Sequence, residues 1–442
     1  MFIIKKIIKV IPLSFLMIIL LVSISCQATN PYLEGANEWL GYITGSGDVI
    51  HRSLSESNAA SIANDTLTRA WGLTDSRSVL QNDATKYSKH KQRLEDEINY
   101  LVNLCNNNGT VGRFTTGGWN QDRFTMRYLY DALVILRNNN LFGSIIQSWI
   151  NDLECAAQYQ FDNYYVGSSH DTTYGAAGEY PNSDAAYLLS IALAEKLYDD
   201  SNRNYGNRAE EFLGYMHDNM LNDGGFVYIR DTNEIFTYHL IDVDCVARYW
   251  DVIDNKDSSS LAKDIIEQSV NYFPLATEPV GISENSSHPW WKHTIYYSVY
   301  HPATADIVAA VANDGQNKMV ANILKNRYGS LSGLEVPNRS GSPVCGKTIY
   351  AIDYWDGNIQ EQELDDDYVK QDKNLRGIRA RSGNFSSIAS APGVSVNGSN
   401  VTYTGGEQDT FVGALITDMS DNLTDSALEL VTPDIIYNNT DP

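Results

Sequence analysis

Positive charge is scarce in this chain of 442 residues. Its 32 Lys and Arg stand against 55 Asp and Glu, giving a formal net charge of −23 and a pI near 4.6. A nucleic-acid partner needs a basic footprint, so the composition argues against one. Acidic polymers stay open as partners, because Arg, Lys and His gathered in a cleft bind uronates while the outer surface remains acidic. Cysteine is also sparse, and no Cys-x-x-Cys pair occurs, which argues against a zinc ribbon. Nothing in the sequence marks a metal or a cofactor. No low-complexity block or long linker interrupts the chain, so residues 26–442 are expected to form a single domain.

Long hydrophobic runs are missing too, apart from one near the start. Lys5, Lys6 and Lys9 precede an apolar run from Ile11 to Val22, followed by Ser23, Ile24, Ser25 and Cys26. The run is too short for a membrane span and has the form of an export signal covering residues 1–25. Cys26 after small residues resembles a bacterial lipoprotein processing site. The expectation is an exported protein of the periplasm or outer-membrane surface, lipid-anchored at Cys26. The alternative is ordinary cleavage near Ser25 or Ala28. In an exported chain, Cys105, Cys155, Cys245 and Cys345 form either two disulfides or isolated buried thiols.

What the chain does have is a recurring Gly- and aromatic-rich turn. Copies fall at Gly117-Gly118-Trp119, Gly175 to Gly178, Gly224-Gly225-Phe226, Gly281 to Trp291, Gly341 to Gly346 and Gly405-Gly406. Each hands over to an apolar stretch, the mark of stacked or ring-closed units too small to bury a core alone. Leu94, Ile98, Leu101, Val102 and Cys105 keep helical spacing in Lys91–Asn107. Further helices are expected at 123–137, 144–160, 183–198, 206–220, 242–253, 258–272, 303–311 and 316–327, with a last inner helix at Thr410–Met419. Ser183–Tyr198 is apolar on nearly every side, as an inner helix should be, and Gly206–Met220 reads as its charged outer partner. Hairpins are expected at Phe226–Arg230 with Glu234–Tyr238, and at Val394–Gly398 with Val401–Tyr403. The fold class is therefore all-α: an (α/α) toroid of six or seven helix pairs, with short β-hairpins in the turns at the barrel mouth. Such a mouth suits a carbohydrate chain.

Three turn-to-helix junctions align: Tyr180-Pro181, Tyr238-His239 and Tyr300-His301. At a helix N-terminus the dipole lowers a His pKa, so His239 and His301 read as neutral partners able to act as base or to orient a phenol. The densest constellation is Ser287 to His301. In an extended segment, Trp290, Lys292, Thr294, Tyr296, Ser298 and Tyr300 share one face, and Trp291, His293, Ile295, Tyr297 and Val299 the other. Trp119, Asn120 and Arg123 form a third group, able to stack on a sugar and bind a carboxylate. Helix capping by Asn120 or Asp122, and packing by the Tyr residues, are the competing structural accounts.

Two reactions fit. In β-elimination a polyuronate carboxylate is neutralised, Tyr or His removes the C5 proton, and Tyr protonates the leaving oxygen. Hydrolysis needs two carboxylates, for which Asp184, Asp242 and Asp244 are available. A glycan-binding surface lipoprotein without turnover is a third possibility. On the exported start, the Gly and aromatic turns, and the stretch from Trp290 to His301, the chain resembles toroidal polysaccharide lyases. It is most similar to polysaccharide lyase family 38, which cleaves alginate or glucuronan. The Asn-Asn-His type motif of family 5 alginate lyases is absent. The resemblance implies an acidic polysaccharide substrate and a Tyr acting as both base and acid, a role that falls on Tyr296 or Tyr300. Together with the junction and motif readings above, the expected catalytic residues are Tyr300, Tyr296, His239 and His301. Trp119, Asn120, Arg123, Tyr238, Trp290, Trp291, Lys292 and His293 are the expected substrate contacts.

Overall fold

The computed structural model describes residues 29–431 apart from 108, 116–121, 167–179, 201, 222–223, 229–231, 234–235, 254–255, 278–299, 333, 335–344, 366, 373–376, 383–384, 391–393, 398–399, 404–412 and 419–427. In order, its helices are α1 (Pro31–Gly41), α2 (Ala59–Thr74), α3 (Ala84–Asn107), α4 (Asp122–Asn138), α5 (Ser144–Asn163), α6 (Pro181–Leu197) and α7 (Tyr205–Asp218). They continue with α8 (Phe236–Val252), α9 (Lys256–Gln268), the short α10 (Tyr272–Ala276), α11 (Ala303–Ala312), α12 (Gly315–Tyr328) and α13 (Cys345–Tyr354). No helix of the described residues is long and apolar enough to cross a membrane.

Burial sorts these helices into two layers. α6 is Ala- and Leu-rich and is buried on all sides from Ala185 to Ala194, as its lack of a polar face predicts. α2, α4 and α8 are buried in the same way. By contrast α3 buries one stripe (His90, Leu94, Glu97, Ile98, Leu101 and Cys105), and α5, α7 and α12 are similarly one-sided. The inner helices α2, α4, α6, α8, α11 and α13 pack each on the next, and α13 returns to α2. They run in the same direction: Arg137 donates to Lys196 O at 2.7 Å between the C-terminal ends of α4 and α6. The outer helices lie against them, which makes the closed (α/α) toroid that the helix pattern implied.

Closure is visible in single bonds. Asn30 caps α1 by accepting from Tyr32 N and Leu33 N, and its Nδ2 donates to Ile352 O of α13 at 2.7 Å. Tyr32 Oη donates to Asp306 of α11 at 2.5 Å, and Lys318 of α12 binds the same carboxylate at 2.7 Å. Gly346 N of α13 donates to Asn64 Oδ1 of α2 at 2.6 Å.

The two ends of the ring differ in their connections. Inner helices leave through short links, at residues 75–83, 139–143, 198–204, 253–255 and 313–314. They are entered through long ones, at residues 108–121, 164–180, 219–235, 277–302 and 329–344. The Gly-rich turns ahead of α4, α6, α8, α11 and α13 therefore all attach at one end. The described example is at Gly224 (φ +87°), where Leu221 N donates to Gly225 O and Phe226 is buried. A two-residue hairpin follows, β1 (Val227–Tyr228) on β2 (Thr232–Asn233). α8 begins at Phe236, so Tyr238 lies inside the helix rather than in the expected second strand.

The Thr410–Met419 helix is not formed. Gly413–Asp418 is instead a strand in an antiparallel sheet built from β3 (Asp367–Asp372), β4 (Gly377–Ser382), β5 (Phe385–Ser390), β8 (Gly413–Asp418) and β9 (Leu428–Val431), in the order β3-β4-β5-β8-β9. A short apolar run does not distinguish helix from strand by periodicity, and here partners on both sides decide it. The expected second hairpin is present, as β6 (Val394–Asn397) on β7 (Asn400–Tyr403). Arg381 of β4 ties the sheet to the ring by donating to Thr277 O at 3.1 Å.

Candidate functional site

The N-terminal halves of the inner helices carry the polar groups. On α4, Asp122 accepts from Phe114 N at 2.9 Å and Arg113 Nε at 2.9 Å, so it holds the loop before the helix. Arg123 is buried with its guanidinium 3.7 Å from the Tyr164 ring, and Tyr164 Oη donates to Asp184 Oδ1 at 2.6 Å. Arg123 and Asp184 thus belong to one interior cluster between α4 and α6.

His239 is fully buried on α8 against Tyr272 (ring centroids 4.0 Å), Phe273 (5.1 Å) and Phe226 (5.6 Å). Its pKa falls to about 3. The cause is burial among rings, rather than the helix dipole that its position suggested. The ring is neutral and walled off from solvent. Tyr238 is half-buried beside it, and Asp242 is fully buried one turn further on.

His301 lies at the entry to α11. Its Nδ1 accepts from Ala303 N at 3.2 Å, so in the neutral ring the proton sits on Nε2, which meets Thr348 Oγ1 of α13 at 3.3 Å. Tyr300 is half-buried with its ring 5.0 Å from Phe236. Trp119, Asn120, Trp290, Trp291, Lys292, His293 and Tyr296 lie outside the described residues.

Between these groups sits a set of which sequence reasoning named only Asp244, and that as a hydrolytic carboxylate. Asp244 of α8 accepts from Thr304 Oγ1 at 2.6 Å, and Lys347 Nζ of α13 lies 3.4 Å from its other oxygen. Burial raises the Asp244 pKa, with Lys347 and Thr304 opposing it. Burial lowers the Lys347 pKa, with Asp244 opposing it. Beside them is Arg127 of α4, only 6% exposed, donating to Cys245 Sγ at 3.0 Å and Tyr128 Oη at 2.9 Å. Its Nε has no hydrogen-bond partner, and among the described residues no carboxylate forms an ion pair with it. Its field reaches Asp244 without contact. A buried guanidinium satisfied by a phenol and a thiol is an expensive arrangement for a protein at rest and a favourable one for a bound anion. The signal for it was available: Arg127 sits on a helix that the repeat marks as inner, where a charge has to be buried.

The structure therefore joins His301, Thr348, Lys347, Asp244, Thr304 and Arg127 across α4, α8, α11 and α13. Among the contacts of the described residues, Arg123 packs with Tyr164 and Asp184, and His239 with Tyr272, Phe273 and Phe226. Among the described residues no group of three His, Cys, Asp or Glu is arranged to hold a metal ion.

No protein-family model matches the chain, and no curated protein matches it. Solved structures similar to it include a xanthan lyase from Paenibacillus, with TM-score 0.47 and 11% identity over 88% of this chain and 37% of that one. A variant of a chondroitin AC lyase from Streptomyces coelicolor A3 is similar at TM-score 0.49 and 13% identity, over 90% of this chain and 55% of that one. The chain spans between about a third and just over half of the length of these structures. At TM-scores below 0.5, neither likeness decides the chemistry of this chain.

Proposed function

We propose that the chain is an exported polysaccharide lyase, lipid-anchored at Cys26, that cleaves a uronate polymer such as alginate or glucuronan by β-elimination. The observation that carries this reading is the buried Arg127, which no carboxylate of the described residues pairs, next to Lys347 at the end of the ring where the long aromatic loops attach. An acidic protein with an unneutralised interior cation is suited to an acidic ligand. Arg127 and Lys347 would take the uronate carboxylate, which makes the C5 proton removable. Tyr300, or Tyr296 in the same segment, would remove that proton. The C5–H electron pair becomes the C4–C5 double bond, the C4–O bond breaks, and the protonated Tyr returns its proton to the leaving oxygen. His301, protonated on Nε2, serves as a donor rather than as the base.

Hydrolysis by Asp184 has less support, because that carboxylate is already held by the Tyr164 hydroxyl inside a closed cluster. The test is incubation of the full chain with alginate, glucuronan and pectate while following the near-ultraviolet absorbance of the unsaturated product. A rise with at least one polymer is expected. Reducing ends without that absorbance would make the chain a hydrolase, and tight glycan binding without any product would make it a binding protein.

A further inference from the structure

Two of the cysteines meet away from this site. Cys105, near the end of α3, and Cys155, on α5, are 50 residues apart in sequence, yet their sulfurs lie 2.9 Å apart. Both are free thiols. They differ in setting: Cys105 is fully buried, whereas Cys155 is half-buried and also faces Asn106 Oδ1 at 3.7 Å. The pair also seats the loop that leads to α4. Gly112 N donates to Cys105 O at 2.9 Å, and Gly112 has φ +90° with its missing Cβ position only 2.5 Å from Cys155 O. Any side chain there would strike the Cys155 backbone, so glycine is required. Arg113, Phe114 and Thr115 then bind Asp122 at the start of α4.

We propose that Cys105 and Cys155 are a redox-active pair that closes to an intramolecular disulfide on meeting an external organic disulfide, stapling α3 to α5 beneath the loop that enters α4. The half-exposed Cys155 thiolate attacks one sulfur of the external disulfide and expels the other half as a thiolate. The Cys105 sulfur then attacks Cys155 Sγ in the mixed disulfide and expels the second half. The two protons lost by the cysteines go to the two released thiolates, so the external disulfide is reduced by two electrons to two thiols as the pair is oxidised. The roles follow the settings. The hydrogen bond from Cys105 lowers the Cys155 pKa, and the same contact together with burial raises that of Cys105.

The test treats the full-length chain with oxidised glutathione, counts free thiols and maps peptides without reduction. The expected result is loss of two thiols, a cross-linked peptide pair containing Cys105 and Cys155, and a melting temperature higher by about 4 °C, the size expected of a cross-link closing a 50-residue loop in a chain this long. In Cys105→Ser the expected product is stable glutathionylation at Cys155, and in Cys155→Ser no exchange at Cys105. The proposal is overturned if the unsubstituted chain keeps both thiols, carries glutathione at Cys155 without resolving it, or links either cysteine to Cys245 or Cys345. The peptide map of the unsubstituted chain decides the matter even if the variants fail to fold.

Discussion

Arg123 and Arg127 lie one turn apart on the same inner helix, both buried, and they have opposite surroundings. Arg123 covers the face of Tyr164, whose hydroxyl is bonded to Asp184, so its neighbourhood holds an aromatic ring and a carboxylate. Arg127 touches a phenol and a thiol, and Asp244, which feels its field, is occupied by Thr304 and Lys347. Arg69 on α2 gives the reference for a completed pair: fully buried, with Glu97 at 3.2 Å and Arg93 bracing the same carboxylate. Interior charge is thus used in two ways, to lock neighbouring helices together and to leave a positive field at the ring's loop-bearing end.

Breaking the completed pair should have the largest effect. Glu97→Gln leaves Arg69 buried without its carboxylate, and denaturant unfolding should report a loss of about 3–5 kcal/mol. Arg127→Met should do the reverse of what burial alone suggests. Removing an unpaired interior charge should leave stability unchanged or raised, while the rate of unsaturated-product formation falls by about 10²–10³, the scale of one lost contact to developing negative charge. Arg123→Met sharpens the contrast: its stacking on Tyr164 is lost, stability should drop by about 1–2 kcal/mol, and most of the activity should remain in the protein that stays folded.

A pH dependence extends the comparison from buried arginine to buried histidine. His239 and His90 both have folded pKa values lowered to about 3, with burial the largest cause in each, and His90 also faces the Arg69 cation. In the unfolded chain they protonate near 6.5. Between those values the unfolded state binds more protons, so stability is full above about pH 6.5 and is lost as pH falls towards about 3. The slope is up to about 1.4 kcal/mol per pH unit for each histidine. Melting temperatures of His239→Phe measured across that range should show roughly half the slope.

Much of the ring was legible because one-sided helices announce themselves. α3 starts two turns before the expected Lys91, at Ala84, but the stripes of α5 and α7, and the all-apolar α6, were located within a few residues. α2 was not, since it is an inner helix that buries Asn64, Asp65, Thr66, Thr68 and Arg69, and its polar residues hide the pattern. α13 was missed because Gly346, Lys347 and Thr348 open it, whereas the equally short α11 is almost wholly apolar, and with it went the Lys347 and Thr348 that link His301 to Asp244. The Gly-rich turn was the most informative signal, because it fixed which end of the ring the long loops enter. It did not reveal which of the polar groups at that end pair with each other. Pairing such as Tyr32 with Asp306 comes from helices brought together only by ring closure.

The most direct test of this account is the initial rate of near-ultraviolet product from alginate and glucuronan, measured side by side for the unsubstituted chain and Arg127→Met at matched folded concentration. The account predicts product from the unsubstituted chain and a loss of at least about 100-fold in the variant without loss of melting temperature. Equal rates for the two proteins, or a variant that fails by unfolding, would contradict the assignment of Arg127 as the ring's anion-binding charge.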